Sequence, residues 1–278
     1  MTDSTSPKPA PRKAKPQTVL EVVRVTKLND WMVRVTLGGE GFAAFQPNDS
    51  TDMYVKLLFV KPELGLTPPY DVAALREELA PEDRPVTRTY TIRSIDADAG
   101  TLDIDFVAHG DEGLAGPWAV NAKPGDQLVL LGPGGGYAPD ATADWHLLVG
   151  DSSALPAISA ALEAMPADAK GVAYVAVDHE EERQSLTVPE GIELVWHVEP
   201  GTAPDTERLA RLVTSREWPE GRVQVFAHGE RESIKALRRV FKERAVPREQ
   251  LSISGYWAYG RTEDTFQAEK RTPIGKID

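Results

Sequence analysis

The stretch WHLLVGDSSALPAISAALEAM, residues 145–165, decides the architecture. WHLLVG is a short apolar run bounded by polar residues, which suits a strand buried on both faces. ALPAISAALEAM follows after a short polar turn and carries apolar residues at helical spacing. A strand passing directly into a helix is half of a parallel-sheet unit. Downstream, GVAYVAV (171–177), ELVWHV (193–198), RVQVFAH (222–228) and LSISG (251–255) read as further strands. TERLARLVTSREW (206–218) and RESIKALRRVFKERA (231–245) read as helices, the second with Ile234, Leu237, Val240 and Phe241 on one face. The pattern predicts a parallel sheet covered by helices. One more helix is expected after Arg261, because Thr262 can cap it and Glu263 and Asp264 suit its first turn.

Upstream the pattern changes to strands alone. TVLEVVRVTKL (18–28) and WMVRVTLGG (31–39) meet across Leu28-Asn29-Asp30, which is hairpin chemistry. DMYVKLLFV (52–60), TRTYTIRSI (87–95), TLDIDFVAH (101–109) and QLVLLG (127–132) follow. Six such strands predict a closed antiparallel barrel. A Pro-rich insertion at 61–86 holds a helix-like DVAALREELA, and GLAGPWAVNA (113–122) is a second helix candidate with Pro117 in its first turn. The Gly/Pro-rich connector GPGGGYAPDATAD (132–144) separates the halves. The expected organisation is a tail at 1–16, a barrel domain at 17–140 and an α/β domain with a C-terminal helix at 141–278. The tail, Pro-rich and basic with no apolar core, reads as disordered and is no secretory signal, so a cytoplasmic protein is expected.

Composition narrows the chemistry. The chain has 278 residues, 41% hydrophobic and 27% charged, which are globular values. Its formal charge of −12 disfavours general nucleic-acid binding. It contains no cysteine, which excludes disulfides, thiolate metal sites and thiol catalysis. Its five histidines do not fall at ligand spacing, so no metal site is expected. No apolar run approaches the length of a membrane span.

Four segments carry candidate chemistry. In Arg88-Thr89-Tyr90-Thr91, alternation along a strand sends Arg88 and Tyr90 to one side. There the Arg suits a diphosphate, the Tyr a flavin ring and the Thr91 hydroxyl the ring's polar edge; the ordinary alternative is a surface strand with a buried Tyr. His109-Gly110 followed by Gly116-Pro117-Trp118 offers free N–H groups to an anion, or is a helix start with Trp118 in the core. The glycines at 132–136 allow close backbone approach to a ligand, or form a flexible linker. Val149-Gly150-Asp151-Ser152-Ser153-Ala154 lies at the carboxyl end of the first parallel strand, where open α/β sheets bind nucleotides, though it lacks G-x-G-x-x-G and also fits a plain helix cap.

Ser254-Gly255-Tyr256-Trp257 completes a set that stands in a specific order. With DMYVKLLF, RTYTIRSI, GDQLVLLGPGG, WHLLVGDSSALPAI, FAHGE and SGYWAYGRTED, it resembles the siderophore-interacting protein family of flavin-dependent ferric-siderophore reductases. The resemblance covers roughly residues 18–266. It implies a flavin-binding barrel followed by a nucleotide-binding, ferredoxin-reductase-like domain. It implies FAD as cofactor, held by Arg88, Thr89, Tyr90 and Thr91, with His109, Gly116 and Trp118 at the diphosphate and adenylate portion. Asp151, Ser153, Ala154 and the segment Ala227–Glu230 would face NAD(P)H as electron donor. Two departures stand out: Ser152-Ser153 where an acidic residue, or Ser followed by Thr, is expected, and His228 where a small Ala is usual. Trp257 with Tyr256 would cover the flavin and gate the nicotinamide, or pack in the core. FAD converts a two-electron hydride into single electrons, which ferric iron requires. An anionic ferric siderophore would need a local basic patch, for which Lys56, and after it Arg93 and Arg261, are candidates. The acidic run Asp178-His179-Glu180-Glu181-Glu182 faces solvent or meets the adenosine ribose. A reductase fed by ferredoxin and a non-enzymatic flavin- or siderophore-binding module remain the alternatives.

Overall fold

The alternation in the first strand, β1 (Gln17–Asn29), sends Thr18, Leu20 and Val22 inward. The computed structural model describes residues 16–108, 113–198 and 205–277. Apart from Pro16, the expected tail lies outside them. With 13 residues, β1 is long enough to pair twice: its first part with β6 (Gln127–Gly134), and its remainder with β2 (Met32–Gly38). Between these come β3 (Tyr54–Phe59), α1 (Val72–Glu78), β4 (Val86–Asp96), β5 (Thr101–Val107) and α2 (Ala115–Asn121). The strands close a six-stranded antiparallel barrel in the order β1-β2-β5-β4-β3-β6. Leu20, Val35, Leu37, Val55, Leu57, Ile104 and Phe106 fill it and are fully buried.

The second half is a parallel sheet. Its elements are β7 (Trp145–Asp151), α3 (Leu155–Ala164), β8 (Lys170–Val177), β9 (Gly191–Val198), α4 (Arg208–Ser215), β10 (Val223–Glu230), α5 (Arg231–Glu243), β11 (Leu251–Trp257) and α6 (Glu263–Glu269). The strand order is β11-β10-β7-β8-β9, so it reverses between β7 and β10. Leu155, Ile158 and Leu162 of α3 cover one face, while Leu209 and Val213 of α4 and Leu237 and Phe241 of α5 cover the other. No helix joins β8 to β9; a single tight turn, Glu180–Glu182, makes that passage. Among the described residues no helix is long and apolar enough to cross a membrane.

The connector is pinned. The carboxylate of Asp52 accepts the N–H groups of Gly136 and Tyr137, each at 2.8 Å. Gln224 accepts from the Asp140 N–H at 2.8 Å and donates to the Ala138 carbonyl at 2.9 Å. A Cβ on Gly134 would stand 2.4 Å from the Tyr54 ring, so a side chain there would have to displace that ring. Several contacts among the described residues tie the halves directly. Arg93 of β4 forms a two-pronged pair with Glu163 of α3 at 2.5 and 2.8 Å. The Trp31 ring stacks on His179 at 4.4 Å. The Gln184 amide donates to the Met32 sulfur at 3.1 Å.

Candidate functional site

Strand β4 positions the site. It pairs with β3 from Val86 to Thr91, but with β5 only over Ile92–Asp96. Its first half therefore parts from β5 and leaves the edge of Val86–Thr91 on that side without a strand partner among the described residues, the slot of the candidate site. The Ile92 N–H donates to the Met53 carbonyl at 2.7 Å, which sets the phase of the strand. Main-chain groups alternate sides along an antiparallel strand, so those of Thr87, Thr89 and Thr91 point away from β3 and into the slot.

Aromatic rings form its floor. Tyr90 leans on Phe106 at 4.5 Å, Phe106 on Trp118 at 5.7 Å, and Trp118 meets Phe59 edge-on at 5.8 Å. Burial, and behind it the Glu263 charge, pushes the Tyr90 hydroxyl up to about 12, so it stays protonated. Arg88 lies mostly buried in the slot and donates to the Thr87 carbonyl at 2.9 Å. Its guanidinium also faces Asp264 of α6 at 3.3 and 3.4 Å. Thr89 is exposed and stands opposite Lys56 of β3. Gly116 begins α2 so close to β5 that a Cβ would lie 3.0 Å from the Val107 carbonyl. His109 lies outside the described residues.

Tyr256 and Trp257 at the end of β11 sit between the two halves. A register shift beside Gly229 and Glu230 sets this pair at the strand's end. The Tyr256 hydroxyl comes near the Thr91 side chain of the barrel, and its ring stands edge-on to His228 at 5.0 Å. Burial, then the Asp52 charge, raises the Tyr256 hydroxyl well above its ordinary value. His228 is buried, stacked on Phe226 at 3.9 Å and bonded to the Ser252 hydroxyl at 2.9 Å. Burial pushes its imidazole down to about 3, so the ring is neutral at physiological pH. The Trp257 indole N–H donates to Asp151 Oδ2 at 2.9 Å. Ser153 bonds to the same carboxylate, and Ala154 is packed into the interior beneath Gly150.

A family model described as siderophore-interacting FAD-binding domain matches residues 21–137, and one described as siderophore-interacting protein matches residues 143–260. The chain belongs to the siderophore-interacting protein family. It is 36% identical to the ferric vibriobactin reductase ViuB of Vibrio cholerae, over 91% of this chain and 93% of that protein. It is 30% identical to the NADPH-dependent ferric-chelate reductase of Escherichia coli, over 86% and 91%. The crystal structure of a siderophore utilization protein from T. fusca superposes with a TM-score of 0.76 at 38% identity, covering 89% of this chain and 94% of that one. A ferredoxin reductase of carbazole 1,9a-dioxygenase, at 18% identity and a TM-score of 0.63, covers 89% of this chain and 71% of its own and shares the fold.

In this siderophore-interacting chain the donor set of the slot fits FAD. It combines a guanidinium for the diphosphate, main-chain groups for the ring's polar edge and an aromatic floor. The three candidate cations for substrate part company. Arg93 is taken by Glu163, and Arg261 pairs with Glu269 at 2.7 Å. Lys56 stays near the slot and has company that sequence reasoning missed. Lys270, at the end of α6, lies over the Phe266 ring at 4.7 Å, its pKa lowered by burial and also by the Lys56 charge. The cap at Thr262 is visible in the sequence; the return of α6 to β4 is not.

Proposed function

We propose that this chain is an FAD-dependent reductase of ferric siderophores, working in the cytoplasm and drawing electrons from a reduced nicotinamide. The observation that carries the reading is the parting of β4 from β5, where Arg88 and Tyr90 share one side of the strand, Tyr90 leans on Phe106 and Phe106 on Trp118, and the Thr89 and Thr91 main chain faces away from β3. Bound FAD supplies the exchange between a two-electron hydride and single electrons. Arg88 takes the diphosphate charge, and the Tyr90 ring lies against the flavin. The Thr89 and Thr91 main chain meets its polar edge. Tyr256 and Trp257 stand between the slot and the parallel sheet and control the approach of the donor. Lys56 and Lys270 make a local positive patch on a chain of net charge −12, and this patch draws an anionic ferric chelate to the slot. The iron arrives and leaves with its chelator as substrate and needs no protein ligand.

The test starts with purified protein incubated with FAD and freed of excess by gel filtration. About one FAD retained per chain is expected from a pocket that buries most of its ligand. Anaerobic NADH or NADPH should then bleach the flavin, and ferrous iron should form from a ferric catecholate. A colourless protein, or bound flavin with no iron reduction from any donor, reduced ferredoxin included, overturns the reading. Lys56→Ala and Lys270→Ala should each raise KM for the anionic chelate by about three- to tenfold, the scale of one lost surface charge contact. A neutral hydroxamate chelate should be spared; equal losses for both chelates would refute the role of charge.

A further inference from the structure

In open parallel sheets a dinucleotide binds beyond the carboxyl ends of the strands, where the strand order reverses, and its phosphates take the N–H groups of the turns there. Here that point lies between β7 and β10. The turns after these two strands meet across it, and the carboxylate of Asp151 sits between them. Its Oδ1 accepts from the Ser153 N–H at 3.0 Å and from the Ser153 hydroxyl. Its Oδ2 accepts from the Glu230 N–H at 2.7 Å and from the Trp257 indole at 2.9 Å. Gly229, at φ 150°, comes so near that a Cβ would stand 2.6 Å from Oδ2.

Two further carboxylates close the rest of this edge. Buried Glu230 accepts from the N–H groups of Ser233 and Tyr259, at 2.9 and 3.2 Å. Buried Glu182 accepts from the Ser152 hydroxyl at 2.6 Å and from the N–H groups of Asp178 and His179 at 3.0 Å. The stack of Trp31 on His179 then covers the turn after β8, where an adenosine ribose would lie.

We infer that Asp151 occupies the anion seat of this crevice, so that the chain recognises a reduced nicotinamide by its nicotinamide half and not by its diphosphate and adenylate. The inference rests on the nicotinamide-donor reading above. A diphosphate entering the crevice would find the N–H groups of Ser153, Glu230 and Ser233 taken and would face like charge from Asp151, Glu230 and Glu182. Trp257, held by the same carboxylate, is the element left to meet the nicotinamide.

Two measurements on FAD-loaded protein test this. In calorimetric titration, ADP-ribose and adenosine 2′,5′-bisphosphate should give no binding below about 1 mM, since a filled seat offers no phosphate contact. Binding of either in the micromolar range overturns the inference. In anaerobic stopped-flow bleaching, NADH, NADPH and reduced nicotinamide mononucleotide should react with second-order rate constants within about tenfold of one another. A larger advantage for either dinucleotide overturns it. If none of the three bleaches the flavin and the adenylates still fail to bind, the donor reading falls while the filled seat stands.

Discussion

At the scale of single residues, Arg88 and Asp264 show a binding group held by its own chain. The pair is long, and the Asp264 side chain is 67% exposed. Such a carboxylate must yield when a diphosphate takes Arg88. Asp264→Asn should therefore tighten FAD binding by about two- to fivefold, the worth of an exposed ion pair. Arg88→Ala should weaken it by more than about tenfold, since a charge-assisted bond is lost. Quenching of FAD fluorescence on binding measures both; identical affinity in the Asn variant would show that Asp264 does not compete. His228 gives a second prediction. An imidazole has an ordinary pKa of about 6.5, and this one is pushed down to about 3. Between those values the unfolded chain binds a proton that the fold refuses, so stability falls as pH drops below about 6.5. In His228→Phe the loss of stability from about pH 7 to pH 4.5, read by denaturant titration, should be shallower than in the natural chain. An unchanged slope would show that the ring titrates normally.

At the scale of elements, the periodicity in the sequence carries a long way. Alternation in TVLEVVRVTKL and helical spacing in RESIKALRRVFKERA correspond to β1 and α5, and Thr262 does cap α6, its side chain accepting from the Thr265 N–H. What stayed hidden depends on distant partners. The parting of β4 from β5 is a matter of register, which local pattern does not encode. The glycine-rich run at 132–136 reads as a linker until Asp52, more than eighty residues away, is seen to hold the N–H groups of Gly136 and Tyr137. Glu182 belongs to an acidic run that reads as surface, yet it turns inward to Ser152, and its neighbour His179 meets Trp31. Phe266 of α6 is 1% exposed, the largest apolar side chain this helix buries. Phe266→Ala should destabilise the packing of α6 by about 3 kcal/mol, the cost of an unfilled aromatic site. Faster amide exchange across Glu263–Glu269 than across α5 would report it; unchanged protection would mean that the charged pairs alone hold α6.

At the scale of the whole molecule, barrel and sheet act together because polar and aromatic contacts span them. Arg93 with Glu163, Trp31 with His179, and Arg88 with Asp264 all cross the seam. In the Arg93–Glu163 pair the arginine side chain is 11% exposed and the glutamate 37%. Glu163→Gln should cost about 1 kcal/mol in denaturation and leave FAD affinity unchanged, because the slot lies on the other half of β4. A parallel loss of flavin would mean that the slot depends on the seam.

The barrel and its slot are finished at different moments of synthesis. Every strand of the barrel has been made once Gly134 is in place, so it can close while the parallel sheet is still to come. Asp264 and Lys270, which border the slot, are made only after both the barrel and the parallel sheet. A flavin arriving during translation would meet Arg88 with no carboxylate beside it. Once α6 has folded against the slot it would have to displace one, so the order of loading and of α6 docking sets how readily the cofactor enters.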